Sequence, residues 1–299
     1  MAKVWGSIIL VTLIWGYTWV TMKIGLEYIP PFLFAALRFL IGAVPLLLLQ
    51  LALKKPLLPA RRDWIPIGTM SVLMSLGYSG LLMYGMRFVN SGQTSVLVYT
   101  MPIFVTVLAH FFLKEKLTAT KGIGLAFGFA GLLFILGPQL HRFAFDQAFM
   151  GQILILLSAL SWGCANIFSK LKFSNYDIMK MTCWQLLLGG VMLLVISAAA
   201  EPWSNVQWTL PSVSSLLFNG IFSTSVTFVA WFWVLGRIEA STASMTLMTV
   251  PILGLFFGWL QLHEQLTANI AAGALLICLG IFFGARKRAA KQVPAQGRL

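Results

Sequence analysis

Ten apolar runs, each about as long as a membrane-spanning helix, dominate this chain of 299 residues. A helix needs about 20 mainly apolar residues to cross a bilayer. The runs cover residues 4–24, 32–53, 65–87, 93–113, 120–138, 150–170, 178–200, 212–235, 240–262 and 268–285. No loop between them is long enough to fold alone. The sequence therefore predicts an all-α polytopic membrane protein with ten transmembrane helices.

The composition excludes a water-soluble fold, because 59% of the residues are hydrophobic and only 10% are charged. Soluble domains carry about 25% charged residues. The net charge of +13 does not indicate nucleic-acid binding here, because the basic residues lie mostly in short loops. They concentrate on the side that holds both chain ends, which predicts cytoplasmic termini and a location in the inner or plasma membrane of the cell.

The two halves of the chain repeat each other. Trp15-Gly16 recurs 147 residues later as Trp162-Gly163, and Glu115 recurs 149 residues later as Glu264. We expect one five-helix repeat at 1–141, a second at 150–285 and a basic cytoplasmic tail at 286–299 that touches anionic lipid. Because five is odd, the second copy enters the membrane from the opposite side. Inverted repeats of this kind are typical of transporters, whose halves rock around a midplane site.

Several motifs resemble the EamA-type transporters of the ten-span drug/metabolite transporter superfamily. They are Leu13-Ile14-Trp15-Gly16, Pro30-Pro31, Lys114-Glu115-Lys116-Leu117-Thr118 and Glu264-Gln265-Leu266-Thr267. The segment 161–168 is similar to bacterial exporters of cysteine-pathway metabolites. The resemblance covers almost the whole chain and implies export of small metabolites, often amino acids. The second half departs from the pattern, because Gln185 stands where the partner of Arg38 is expected.

Candidate substrate-binding residues follow from helical spacing, since side chains at i and i+4 share a face. They are Trp15 and Trp19 in the first span, Trp162 and Asn166 in the sixth, and Tyr78, Tyr99 and Trp231 elsewhere. We expect them to line a central cavity whose aromatic walls contact an amphiphilic substrate. The alternative interpretation is helix packing beside Gly16 and Gly163.

Two prolines occupy equivalent positions in the fourth and ninth spans, Pro102 and Pro251. Proline removes one helical hydrogen bond and bends the axis. Matching breaks in inverted halves indicate a transport site or a hinge. A static kink that fits the bundle is the alternative.

Three basic side chains are candidates for a charge or proton role: Lys23, Arg38 and His110. Arg38 lies near the edge of its span, which favours a structural or snorkelling role over attraction of a substrate carboxylate. The same alternatives, a structural or snorkelling role and the attraction of a substrate carboxylate, apply to Lys23. His110 could carry a proton, although a buried packing histidine is the favoured interpretation. No carboxylate falls inside a span, so the coupling ion stays unassigned.

The sequence also bears on the partners of the protein and on alternative functions. We expect no cofactor, no metal site, no enzymatic activity and no nucleic acid. The partners are a small-molecule substrate, membrane lipids and, through GxxxG patterns, a possible second copy of the chain. An exporter of hydrophobic or drug-like compounds is the main alternative. A channel and an intramembrane serine protease built on Ser79 and His110 are weaker alternatives.

Overall fold

The computed structural model describes residues 2–141, 146–247 and 249–285, and this part of the chain contains helices and no strand. Ten helices follow one another along the chain. They are α1 (Ala2–Tyr28), α2 (Pro31–Ala52), α3 (64–86), α4 (Ser91–Leu113), α5 (Ala119–His141), α6 (Gln147–Lys172), α7 (Ile178–Ala200), α8 (Leu210–Leu235), α9 (240–262) and α10 (Ala268–Ala285). The predicted all-α fold is confirmed. The expected basic tail at 286–299 lies outside the described residues.

The helices are suited to a bilayer. By length and composition, seven can cross a membrane, and shorter apolar stretches occupy Gly122–Ile135, Val250–Leu262 and Ala268–Gly280. Large apolar side chains also point outward from the bundle, among them Leu48 and Phe111. In water such a surface would be unfavourable, whereas in lipid it is the expected exterior. The protein is therefore a polytopic membrane protein.

The starts of several helices follow from single residues. The Asp146 carboxylate accepts a hydrogen bond from the Phe149 N–H, and Asp177 caps α7 in the same way. Thr209 and Ser212 form a reciprocal capping box at the start of α8. These side chains satisfy N–H groups that have no partner within the first turn.

Helices α3 and α8 each contain a π-helical segment in the middle, Leu73–Gly80 and Phe218–Val226. The two segments occupy equivalent positions in the two halves. A π segment widens the helix and redirects its side chains, and such segments are frequent at functional sites. Apolar periodicity does not predict these segments.

Helices α4 and α9 are each interrupted. The first consists of Ser91–Val98 and Met101–Leu113, and the second of Ala240–Met245 and Thr249–Leu262. Pro102 is the second residue of its piece, where the missing N–H has no helical partner to lose. The breaks predicted from the prolines are therefore present, just before Pro102 and Pro251. Their use as hinges stays a prediction.

The packing separates a peripheral helix pair from a central group. Helix α5 packs against α10, and α2 packs against α7. The α5–α10 contact is close because a Cβ on Gly131 would lie 2.6 Å from the Gly273 carbonyl oxygen, and one on Gly273 would lie 2.7 Å from that of Gly131. The glycine pattern here serves contact within the bundle. In the central group, α1 packs against α4, α8 and α9, and α6 packs against α3, α4 and α8.

Candidate functional site

The centre of the bundle holds the two repeat-related tryptophans, Trp15 on α1 and Trp162 on α6. Their ring centroids are 5.1 Å apart in an edge-to-face arrangement, and both side chains are buried. Trp231 lies 5.8 Å from Trp15, and Tyr78 lies 4.7 Å from Trp162. Aromatic pairs prefer such geometries. Aromatic residues of both repeats therefore form a cluster where the repeats meet.

The other aromatic candidates extend this cluster. Tyr99 lies 6.5 Å from Trp162, and Trp19 lies 6.3 Å from Tyr99, measured between ring centroids. Asn166 accepts a hydrogen bond from Trp231 Nε1 at 3.0 Å. All seven side chains predicted to bind substrate thus meet in one place. We call the group of Trp15, Trp19, Tyr78, Tyr99, Trp162, Asn166 and Trp231 the central cluster.

The polar atoms of the central cluster are unevenly satisfied. Trp15 Nε1 donates to the Ser223 carbonyl oxygen at 3.2 Å and to Thr227 Oγ1 at 2.8 Å. Three buried polar atoms of the central cluster find no partner among the described residues: Trp19 Nε1, Tyr99 OH and Trp162 Nε1. A buried donor without a partner is unfavourable. The cluster therefore presents donors that an oxygen-bearing molecule could satisfy.

Arg38 is buried deep inside the bundle, with 2% of its surface exposed. Its Nε donates to Thr224 Oγ1 at 3.1 Å, and one terminal nitrogen lies 3.0 Å from the Met22 sulfur. The option that Arg38 snorkels outward is therefore wrong, whereas the structural role and the attraction of a substrate carboxylate both stay predictions. About 10 Å of helix separates it from the start of α2, and α1 and α8 cover its side chain.

A polar face of α8 borders Arg38, and the sequence analysis missed it. Thr18 donates to Ser223 Oγ at 2.8 Å, and the Asn219 amide donates to Thr21 Oγ1 at 2.9 Å. These contacts link α1 to the π segment of α8. The available signal was the run of hydroxyl residues at 223–227 inside an otherwise apolar span, because polar residues at that depth face the interior of a bundle.

Lys23 does not belong to the central cluster. Its ammonium group donates to the carbonyl oxygens of Met86 and Val89, at 2.7 and 2.9 Å, where α3 ends. Glu264 accepts hydrogen bonds from the first two backbone N–H groups of α4, at 2.6 and 2.9 Å. A cation at a helix C-terminus and an anion at an N-terminus are both favourable. We call this arrangement, the turn between α3 and α4 held by Lys23 and Glu264, the Lys23 corner.

The second half repeats the same arrangement. Lys170 donates to the carbonyl oxygens of Leu235 and Ile238, at 3.2 and 2.6 Å, where α8 ends. Glu115 accepts from the first backbone N–H of α9 at 3.0 Å and from the hydroxyl of the next residue. This is the Lys170 corner. Since α4 begins at the Lys23 corner and ends at the Lys170 corner, the two lie at opposite ends of the bundle.

A shared local geometry brings both glutamates to their targets. Lys114 and His263, which precede them, have left-handed φ angles of 55° and 53°. The Glu115 N–H then bonds the Ala109 carbonyl oxygen, and the Glu264 N–H bonds that of Gly258. This pattern closes the C-terminus of a helix and reverses the chain. Both glutamates thus cap the start of a helix in the other half of the chain.

His110 lies on the outer surface of α4. Its Nδ1 is 3.0 Å from the Glu115 carbonyl oxygen, and its ring packs against Phe111. The favoured expectation of a buried packing histidine is wrong, because the side chain is exposed. A proton role stays a prediction. Ser79 is buried, and its hydroxyl finds no hydrogen-bond partner among the described residues, so the serine–histidine pair of a protease is not formed.

Comparison with known proteins gives a family match in both halves. A sequence profile of the EamA-like transporter family matches residues 4–137 and 149–285. The chain is 57% identical over 283 residues to an uncharacterized transporter, YoaV, of Bacillus subtilis (strain 168), with 94% of this chain and 96% of that protein covered.

A more distant relative carries a functional name. The chain is 29% identical over 300 residues to a probable amino-acid metabolite efflux pump of Escherichia coli (strain K12), with 95% of this chain and 96% of that protein covered. A crystal structure with 18% identity superposes with a TM-score of 0.74 over 93% of this chain and 95% of that one. At this identity the superposition supports the fold alone.

Proposed function

The chain belongs to the EamA-like transporter family, and we propose that it is a secondary transporter that exports small amino-acid-like metabolites by alternating access. The observation that carries the proposal is the contact between Trp15 and Trp162, 5.1 Å apart. Equivalent residues of two inverted repeats meet there, and in inverted-repeat transporters the substrate site lies at the repeat interface.

The surroundings of the central cluster support a substrate site over simple packing. Tyr78 belongs to the π segment of α3, Ser223 of the α8 π segment accepts a hydrogen bond from Trp15, and Tyr99 lies at the interruption of α4. Interrupted backbone inside a membrane is tolerated where it is buried in protein or lines a cavity. The three donors of the cluster that have no partner among the described residues could each bind an oxygen of a small molecule. The site combines apolar walls with few polar groups, as small-molecule sites do.

The two corners support alternating access. Each corner joins helices of both repeats through a lysine and a glutamate, and the two corners are chemically alike. Breaking one while the other stays closed would open a path at one end of the bundle only. We propose that the Lys23 corner and the Lys170 corner are the two gates.

The substrate class rests on the relatives and on the site. One relative is named a probable amino-acid metabolite efflux pump. The central cluster offers aromatic contacts, an amide and indole donors, which suit an amino acid with an apolar side chain. Export of hydrophobic or drug-like compounds is the second candidate, because aromatic walls suit these as well.

Counterflow in proteoliposomes tests the proposal. Vesicles loaded with single amino acids, including cysteine and its precursors, are assayed for uptake of labelled substrate with and without a pH gradient. We expect saturable exchange of at least one amino acid. Exchange of hydrophobic compounds alone would move the function to the second candidate. Unsaturable flux would overturn a carrier mechanism, because a pore does not saturate in this range.

The setting of the protein is part of the proposal. We place it in the inner or plasma membrane with both termini cytoplasmic, because most basic residues then lie inside. Membrane lipids cover the apolar exterior, and the chain is open to forming a homo-oligomer. Protease access to a tag at each terminus in sealed vesicles measures the orientation, and cross-linking in the membrane measures the oligomeric state.

A further inference from the structure

Arg38 carries a charge that the protein does not neutralise. All eight carboxylates of the chain belong to described residues, and none forms an ion pair with Arg38. The side chain is 2% exposed. Buried charges in proteins are normally paired, because an isolated one is expensive to remove from water. Inside a membrane the cost is higher still, and such a residue marks a functional site.

The neighbours of Arg38 leave its binding capacity largely unused. A guanidinium group has five N–H donors in a planar fork. In this structure one hydroxyl, that of Thr224, and one sulfur, that of Met22, accept from it. Neither is an anion. The fork is shaped for two parallel hydrogen bonds to a carboxylate.

The position of Arg38 connects it to the central cluster. Its guanidinium carbon lies 5.7 Å from the centroid of the Phe39 ring, Phe39 packs against Phe228, and Phe228 packs against Trp15. On the other side, its partner Thr224 follows Ser223, whose carbonyl oxygen accepts from Trp15. Arg38 therefore lies next to the part of the central cluster that Trp15 forms.

The equivalent position in the second half shows that the fold does not require a cation there. Gln185 occupies it, and Ser75 occupies the position equivalent to Thr224. Gln185 is fully buried, and neither its amide atoms nor the Ser75 hydroxyl has a partner among the described residues. An uncharged side chain of similar length thus fills the same place in a matching helix pair. A purely structural need for arginine would apply to both halves.

We propose that Arg38 binds the carboxylate of the transported molecule, so that the cargo is an anion or a zwitterion with a free carboxylate. The inference rests on the proposed function and makes it more specific. The substrate supplies the counter-charge that the protein lacks, and its apolar part packs against the aromatic rings.

The test compares free acids with their amides. The probes are L-cysteine and L-phenylalanine and the corresponding primary amides, which keep the amino group and side chain but lack the carboxylate. They are measured as competitors in exchange and, independently of transport, as ligands that raise the melting temperature of the detergent-purified protein. The variants are Arg38→Gln, which copies the residue of the second half, and Arg38→Met. Arg62→Gln is the control, since the Arg62 side chain is 92% exposed.

We expect the wild type to prefer a free acid over its amide by about 10- to 100-fold, the range for a hydrogen bond to a charged group. Arg38→Gln and Arg38→Met should reduce this preference to near unity, while Arg62→Gln keeps it. Without ligand the two Arg38 variants should melt at the wild-type temperature or above, because an unpaired buried charge has been removed.

Three outcomes would overturn the inference. The first is equal competition by acid and amide in the wild type, which leaves the transporter proposal intact. The second is an acid preference that survives in the Arg38 variants. The third is that neither uncharged variant folds, which would assign Arg38 to the framework. If the acids raise the melting temperature through Arg38 but no amino acid is exchanged, the inference stands and the proposed transport fails.

Discussion

The two halves of this molecule share their corners and differ at their centre. Lys23 and Glu264 hold the turn between α3 and α4 with the same backbone contacts that Lys170 and Glu115 make at the turn between α8 and α9. The inverted repeat alone accounts for this likeness. A carrier that opens alternately at each end needs two similar gates, and a duplicated frame supplies them.

The centre departs from this symmetry. Arg38 in the first half corresponds to Gln185 in the second, and Trp19 corresponds to Asn166. Trp15 Nε1 has two acceptors, whereas Trp162 Nε1 has none among the described residues. An amino-acid-like substrate is itself unsymmetrical, with a charged end and a side chain. The two halves therefore share the backbone geometry of their ends and differ in the chemistry of their centre.

The largest effect on exchange is expected when the indole ring of Trp15 or Trp162 is removed. Trp15→Ala and Trp162→Ala should each lower exchange at least about ten-fold, because a buried ring contributes more than 1.4 kcal/mol of contact. Both variants should still reach the membrane. Counterflow at equal protein density measures the effect.

The control is Trp5→Ala, on the same helix as Trp15 but 55% exposed, which should leave exchange unchanged. Unchanged exchange in both central variants would remove these rings from the substrate site.

The second prediction separates the two corners. At the Lys23 corner, Glu264→Gln should raise the alkylation rate of a cysteine placed at Ser95. At the Lys170 corner, Glu115→Gln should raise the alkylation rate of a cysteine placed at Ser244, the position equivalent to Ser95. A charge-assisted hydrogen bond contributes about 1.5–3 kcal/mol, so losing one should change the open population about ten-fold.

The three native cysteines are replaced beforehand, and each variant serves as the control for the other. Equal labelling at both positions in either variant would show that the corners are not independent gates.

The third prediction concerns the difference in hydrogen bonding between Trp15 and Trp162. Trp15→Phe should lower the free energy of unfolding by about 1 kcal/mol, because the Ser223 carbonyl and the Thr227 hydroxyl lose their donor. Trp162→Phe should be nearly neutral in stability and should instead weaken substrate binding. Melting temperatures in detergent, with and without substrate, distinguish the two. A larger stability loss for Trp162→Phe would refute the assigned difference.

The smallest effect concerns the contact between α2 and α7, where Lys55 and Asp177 form an ion pair of 2.8 Å. Burial favours a higher pKa for Asp177, but hydrogen bonds from Lys55 and from the N–H groups of Lys180 and Met179 outweigh it and lower the pKa from 3.8. A lowered native pKa adds stability that is present above pH 3.8 and is lost as the pH falls through the native value.

Asp177→Asn should therefore lower the free energy of unfolding by at most about 1 kcal/mol at pH 7, since the pair is partly exposed. The difference from wild type should shrink as the pH falls below 3.8. Thermal melts at pH 7 and at pH 3 measure it. A difference that grows at low pH would contradict the assigned sign.

Much of the candidate site could be predicted because it depends on helix periodicity and on the repeat. The stripe of Trp15 and Trp19 and its counterpart at Trp162 and Asn166 followed from i, i+4 spacing, and the structure brings all four together. The recurrence of Glu115 as Glu264 could also be read from the sequence, whereas the helices that they cap could not.

The sequence left the burial of Arg38 open and misplaced His110 for the same physical reason. Depth along a helix can be counted from sequence, but the direction in which a side chain points depends on which helix packs against it. Arg38 faces α1 and α8 and is buried, whereas His110 faces outward. Likewise, the π segments of α3 and α8 arise from local packing that no apolar pattern encodes.

The sequence by itself determined the ten helices, the inverted duplication, and the lysines and glutamates that form the corners. Hydropathy, helical period and internal repetition can all be read along the linear sequence. Only the tertiary structure decided that Arg38 has no carboxylate partner and that Trp15 and Trp162 meet with different hydrogen bonding. Both facts concern contacts between helices that are far apart in the sequence. Such a contact contributes energy only when the fold brings its two side chains together.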